Sequence, residues 1–199
     1  MSEIIKYNNI DLSKISYTGP TQNKNSYYGS IDYNNHNFMI QTSRLKVIDI
    51  KDKVIKVSVE PTDFSFYDTI IKLDDHNLAS TYKHSKEWFK KELPMDVLEN
   101  MYRRLSKPFK KDQIPILELR LSTKPDCHVY DTEDNIISLG ELNVDSTILG
   151  IIDINGLKFL KRDYYCDICL SQIKICKELK INKQSKCLIE DNTEEDIYE

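Results

Sequence analysis

The chain has 199 residues, 40 % of them apolar and 30 % charged, with a formal net charge of −4; this is enough to bury a core and too apolar for wholesale disorder. The longest apolar run, 147–152, is strand-sized, far short of the roughly 20 residues of a membrane-spanning helix. The opening MSEIIKYNNIDLSK has neither a basic start with a long apolar stretch nor a small-residue cleavage site, so secretion is not expected.

Residues 1–26 are rich in Asn and Ser, carry Gly19-Pro20, and read as a loosely ordered N-terminal arm. Residues 27–33 and 38–42 flank Asn34-Asn35-His36-Asn37, whose side chains tolerate left-handed backbone; the pattern predicts a hairpin. Residues 45–50 and 54–59 alternate apolar and polar across Asp52 and predict two more strands. Then the period changes. Pro61-Thr62-Asp63 is a helix-start signal, and Phe66, Ile70 and Leu73 repeat at helical spacing. A second helical stretch is expected over 85–93. A third opens at Pro94 with Val97, Leu98, Met101 and Leu105 on one face, and Pro108 ends it. Strands resume at 114–122, then at 128–131 and 136–139 as a hairpin. Residues 147–154 run into Asn155-Gly156, the strongest turn or bulge signal in the chain, and 164–176 form a last long strand. With no βαβ alternation, the expected fold is mainly β (α+β): an antiparallel barrel or sandwich over 27–187 with a helical insertion around 63–107 and an acidic tail over 188–199.

Composition narrows the chemistry. One alanine, five glycines and five arginines stand against 23 lysines and 25 isoleucines, a bias that A/T-rich codons produce. Glycine-rich phosphate cradles are therefore absent from the sequence, as are the nucleophile-elbow and HExxH patterns. Charge is segregated along the chain. Residues 83–124 hold 11 basic and 6 acidic side chains, 125–153 hold 7 acids and no base, 154–187 return to 8 basic and 3 acidic, and 188–199 hold 6 acids and no base. A terminal block of like charge is ordinarily a solvated tail. Here it adjoins a basic body, so it can compete with nucleic acid for a groove or dock on partners through Glu194, Glu195, Asp196, Ile197 and Tyr198.

Among the five cysteines, Cys166 and Cys169 form a CxxC that Cys127 and His128 could complete as a zinc site. The segment reads as strand rather than knuckle, so no metal and no cofactor is expected, and the odd cysteine count favours free thiols in a reducing compartment. His36, His76, His84 and His128 form no acid–base arrangement, and Asp74-Asp75 read as a solvated face. No enzyme is indicated. The suggestive pattern is basic residues interleaved with aromatics: Tyr27, Tyr28, Tyr33 and Phe38 on the first hairpin, then Arg44, Lys46, Arg103, Arg104, Lys107, Lys110, Lys111, Arg120 and Lys124 on or beside later elements. Aromatic faces that stack bases and cations that track phosphates are the means by which unpaired nucleic acid is gripped.

Phe66–Asp75, Trp88-Phe89, Tyr102 before a basic run and 116–121, followed by Ile151–Phe159 and Ile168–Ile175, resemble in order and spacing the single-stranded DNA-binding proteins of nucleocytoplasmic large DNA viruses. These are similar to podophage replication proteins built on an OB barrel with an inserted helix and an acidic tail. The resemblance implies that the fold is an OB-like antiparallel barrel with a helical insertion, and that it binds single-stranded DNA independently of sequence in viral replication, within the cytoplasmic replication compartment of the host cell. It also implies contact with replication proteins through the tail and no membrane. The alternative expectation is a β-rich virion structural or assembly protein, which the modest charge of the body favours.

Overall fold

The computed structural model describes residues 4–60, 64–107, 113–123 and 125–177. Its strands are β1 (Ile4–Lys6), β2 (Ile15–Tyr17), β3 (Thr21–Asn23), β4 (Ser26–Tyr33), β5 (His36–Gln41), β6 (Leu45–Lys51) and β7 (Val54–Val59). Helices α1 (Ser65–Lys83), α2 (Ser85–Trp88) and α3 (Met95–Met101) follow. The chain then returns to strands β8 (Tyr102–Arg103), β9 (Ile116–Arg120), β10 (His128–Tyr130), β11 (Ile136–Ile137), β12 (Thr147–Phe159) and β13 (Tyr164–Ile175).

Strand β12 is the hub. One edge pairs with β13 along its whole length, and the other meets β6 at Thr147–Ile148, β5 at Ile151–Ile154 and β4 at Gly156–Phe159. From β6 the ladder passes antiparallel to β7 and on to β9. A parallel bridge between Leu121 and Leu170, with the Ser122 amide donating to the Leu170 carbonyl, brings the end of β9 onto β13. The circuit β6-β7-β9-β13-β12 thus curls back on itself, the strand order of an OB-like barrel. Its inner positions, Leu45, Val47, Ile55, Val57, Leu117, Leu119, Ile148, Ile152 and Leu170 among them, are buried as the period-2 pattern requires.

The hairpin turn at Asn34-Asn35 has both residues left-handed, with φ of 51° and 62°, the geometry that suits a two-residue connection. Asp52 takes φ 53° between β6 and β7. Three local expectations need correction. Residues 4–26 are not loose: β1 pairs in parallel with β5, β2 and β3 pair with β4, and Ile5 and Ile15 are buried. The second helix stops at Trp88, just before Lys90 adopts φ 57°. The third stops at Met101, because Tyr102 and Arg103 extend to pair with Tyr164 and Tyr165. Pro61-Thr62-Asp63 and Pro108 lie outside the described residues.

The helical insertion is fastened to the sheet by a polar group. Asp74 is fully buried rather than solvated, while its neighbour Asp75 points outward to Arg104 at 2.7 Å. The Asp74 carboxylate accepts from the Tyr102 hydroxyl at 2.8 Å, the Leu105 amide at 3.2 Å, and the Ser106 amide and hydroxyl at 2.9 and 2.7 Å. Tyr102 in turn accepts from Asn77 Nδ2 at 3.0 Å, and the Tyr17 hydroxyl donates to Asn77 Oδ1 at 2.7 Å. His76 Nδ1 joins the Tyr17 hydroxyl at 2.8 Å.

Asp74→Ala leaves four donors without an acceptor, two of them backbone amides. It is expected to lower unfolding stability by about 3 kcal/mol or more. Urea denaturation followed by fluorescence of the single tryptophan, Trp88, checks this. An unshifted midpoint would show that the network is not what holds 102–106 to the helix.

Candidate nucleic-acid interface

The outward face of the sheet is set by alternation. In β13, Tyr164 and Cys166 point inward and are buried, so Tyr165 and Asp167 point outward. In β12, Leu157 and Phe159 point inward and Lys158 outward; in β4, Gly29 and Ile31 are buried and Tyr28 faces out. Register then aligns these positions. Lys158 pairs with Tyr28 on one side and Tyr165 on the other, and Tyr165 pairs with Arg103 of β8. The result is a row across four strands, Tyr28–Lys158–Tyr165–Arg103, in which rings and cations alternate.

The row is supported from beneath. Phe159 stacks on Tyr164 at 5.2 Å between ring centroids, and Trp88 and Phe89 meet Phe159 edge-on at 6.0 and 5.7 Å. On the outside, the Arg103 guanidinium lies 6.0 Å from the Tyr165 ring centroid, an exposed cation–π contact worth about 0.5–1 kcal/mol, and also pairs with Asp163. Arg120 pairs with Asp167, one outward position along β13 from Tyr165. Burial, with the Asp167 carboxylate next, pushes the Tyr28 phenol well above its usual range, so the ring stays neutral. Lys158 is the charge in the row without an ion-pair partner among the described residues.

A groove of about 420 Å³ runs between this row and the β3–β4 turn, lined by Lys24, Ser26, Tyr28, Lys158, Leu160 and Asp167. A second, also about 420 Å³, continues past Asp167 to Lys53, Arg120, Asp153, Asn155 and Cys169. Burial raises the Asp153 carboxyl against a 2.8 Å hydrogen bond from the Ser171 hydroxyl. The arrangement offers flat rings, cations spaced between them and flanking carboxylates that hold the arginines in place.

Of the candidates read from sequence, Tyr28, Arg103 and Arg120 come together here. Tyr33 and Phe38 do not: they stack on each other at 5.1 Å inside the core, 8 % and 1 % exposed, and have no face left for a base. The hairpin's alternation turns these two rings inward, because β4 and β5 present one face to the core. Tyr27 is exposed but on the side of β4 opposite Tyr28. Arg104 is tied to Asp75 and Glu99, Lys107 to Glu118 and Lys46 to Asp145. Lys46 and Arg44 lie near Thr147, at the end of β12 remote from Lys158, about 35 Å along the strand. Lys110, Lys111, Lys124 and the tail residues Glu194, Glu195, Asp196, Ile197 and Tyr198 lie outside the described residues.

Lys158 and Tyr165 were missed; their apolar–polar alternation is visible in the chain, but nothing local aligns them with Tyr28. The CxxC does not converge either. Cys166 is buried inside, while Cys169 faces out and accepts a hydrogen bond from Asn155 Nδ2 at 3.5 Å. Burial, with Cys169 and Asp153 nearby, pushes the Cys127 thiol up to about 11.

Residues 43–187 match the model of a family of unknown function, DUF5871, and the chain belongs to that family. No curated protein matches it in sequence. Among solved structures it is similar to the single-stranded DNA-binding protein from bacteriophage Enc34, at 13 % identity over 82 % of this chain and 90 % of that one, TM-score 0.48. Its C-terminal truncation matches at 12 % identity, over 83 % and 96 %, TM-score 0.47. The same protein in complex with single-stranded DNA matches at 14 %, over 80 % and 95 %, TM-score 0.44.

Gly156 closes the site from below. A Cβ there would stand 2.2 Å from the Gly29 carbonyl oxygen and 2.9 Å from the Tyr28 ring. Gly156→Ala is therefore expected to displace Tyr28 and part of the β4–β12 ladder, at a cost of about 1–3 kcal/mol. A thermal melt no lower than wild type would mean that β4 yields without loss.

Proposed function

We propose that this chain binds single-stranded DNA without sequence preference, on the face that carries Tyr28, Lys158, Tyr165 and Arg103, and that it serves viral DNA replication in the infected cell. The observation that carries the proposal is the row itself: two outward rings separated by a cation and followed by another, in direct cross-strand register. Bases stack on such rings whatever their identity, and cations between them meet the phosphates. The grooves on either side of Asp167 extend the same surface, with Lys24 at one end and Lys53 and Arg120 at the other. Duplex DNA offers no unstacked bases to these rings, so the preference is for unpaired strand. Residues 188–199, with six acids, supply like charge that competes with phosphate for this face or recruits replication proteins.

Binding of a fluorescent oligothymidine at low salt, followed by anisotropy, tests the reading. Tyr28→Ala and Tyr165→Ala are each expected to weaken it by about 5- to 150-fold, the range for one stacked base. Lys158→Ala should also shallow the dependence of log K on log salt by about 0.7. A wild-type protein that binds no oligonucleotide at low salt would overturn the proposal and leave the assembly-protein reading standing.

The carboxylates make a second prediction. Arg120 already has a counter-charge in Asp167, so a phosphate must displace it and fewer bound ions are released than the cations present. Asp167→Asn frees Arg120, and is expected to tighten binding several-fold and steepen the salt dependence by about 0.7. An unchanged slope would place Arg120 outside the contact.

A further inference from the structure

The outward face does not stop at the Arg120–Asp167 pair. Past the bulge between Ile151 and Ile152, the outward positions of β13 pass to Gln172 and Lys174. There β10 lies alongside in parallel, His128 against Gln172 and Tyr130 against Lys174. On the opposite side Ile151 of β12 pairs with both Gln172 and Gln41 of β5. A cavity of about 250 Å³ opens at this end, lined by Leu149 and Ile151, by Tyr130, by Gln41 and Gln172 and by Asp134. Lys174 borders it and pairs with Asp134.

The chemistry of this cavity is specific. Apolar walls and one phenol ring suit a flat, weakly polar body, and each amide brings one acceptor and two donors to its edge. The volume lies below the roughly 300–1,000 Å³ of drug-sized sites, the scale of one heteroaromatic ring system. Lys174 stands nine positions beyond Tyr165 along β13, about 30 Å at the rise of a strand. The span between carries Arg120 and Lys53, and the outward positions of β13 run from one end to the other.

We infer that this cavity receives one unpaired base of the same DNA strand that lies on Tyr28 and Tyr165, making the protein a two-anchor binder. The inference rests on the function proposed above. Tyr130 stacks the distal base, Gln41 and Gln172 meet its polar edge, and Lys174 turns from Asp134 to the adjoining phosphate. Because the second anchor engages a strand already held by the first, its contribution is intramolecular and depends on length. An oligonucleotide too short to bridge β13 gains nothing from it.

The test is a length series of oligothymidines from about 4 to 16 nucleotides, the range a single OB fold covers, bound by the full chain and read by anisotropy. Wild type is expected to show a step in affinity at the length that spans the two ends. Tyr130→Ala and Gln172→Ala should each abolish the step, weakening the 16-mer about 10-fold while leaving the 4-mer within two-fold of wild type. A 2-aminopurine at the distal end of the 16-mer should be quenched by wild type and not by Tyr130→Ala. Unchanged Trp88 emission in both variants confirms that they fold. If short and long oligonucleotides bind and both variants match wild type at every length, the second anchor does not exist and the first stands. If wild type binds no length at low salt, both readings fall together.

Discussion

The buried carboxylate of Asp74 is the constraint on which the outer surface depends. A charge with no exposed area is tolerated only where donors surround it, and here all four come from Tyr102, Leu105 and Ser106. Those residues lie where a helix would otherwise continue. By drawing them onto α1, Asp74 ends α3 and holds Tyr102 against Tyr164, their ring centroids 4.9 Å apart. Once Tyr102 faces inward, Arg103 must face outward beside Tyr165. The fourth member of the surface row is thus positioned by a group on the far side of the sheet.

The surface is balanced rather than simply basic. Arg103, Arg104, Lys107, Arg120 and Lys174 each have a carboxylate partner; the Lys107–Glu118 and Lys174–Asp134 pairs are exposed on both sides, and each of the others keeps one exposed member. Exposed pairs add little to stability, about 0–1 kcal/mol each. Their consequence is electrostatic: they fix where guanidinium groups sit while cancelling the field those groups would cast. On the function proposed above, a strand that displaces the carboxylates gains directed contacts without a large attraction at a distance. That accounts for how a chain with net charge −4 can present cations in a useful array.

Much of the architecture is legible in local pattern. The period-2 alternation of β6, β7 and β9, the paired asparagines at the β4–β5 turn and the helical spacing of Phe66, Ile70 and Leu73 all appear in the structure with the expected faces inward. Asn155-Gly156 is a bulge that β12 passes through, not a turn that ends it. The glycine is there because the Gly29 carbonyl and the Tyr28 ring leave no room for a Cβ. The N-terminal segment escaped notice because three-residue strands are too short to show a period. Their stability comes from the strands they join.

Residue types and their alternation therefore determined that this chain is β-rich, carries one helical insertion and turns rings and cations outward somewhere on its sheet. They did not determine which rings. Tyr33 and Tyr28 sit on one strand and look alike in sequence, yet one is core and the other surface, because the sheet offers the core only one of its faces. The partners of Tyr28 were decided only by the tertiary fold: Lys158 stands 130 positions away in the chain and is brought alongside by the β4–β12 ladder. A strand's faces follow from its own residues, whereas its register depends on bulges, turns and distant packing that no short window of sequence contains.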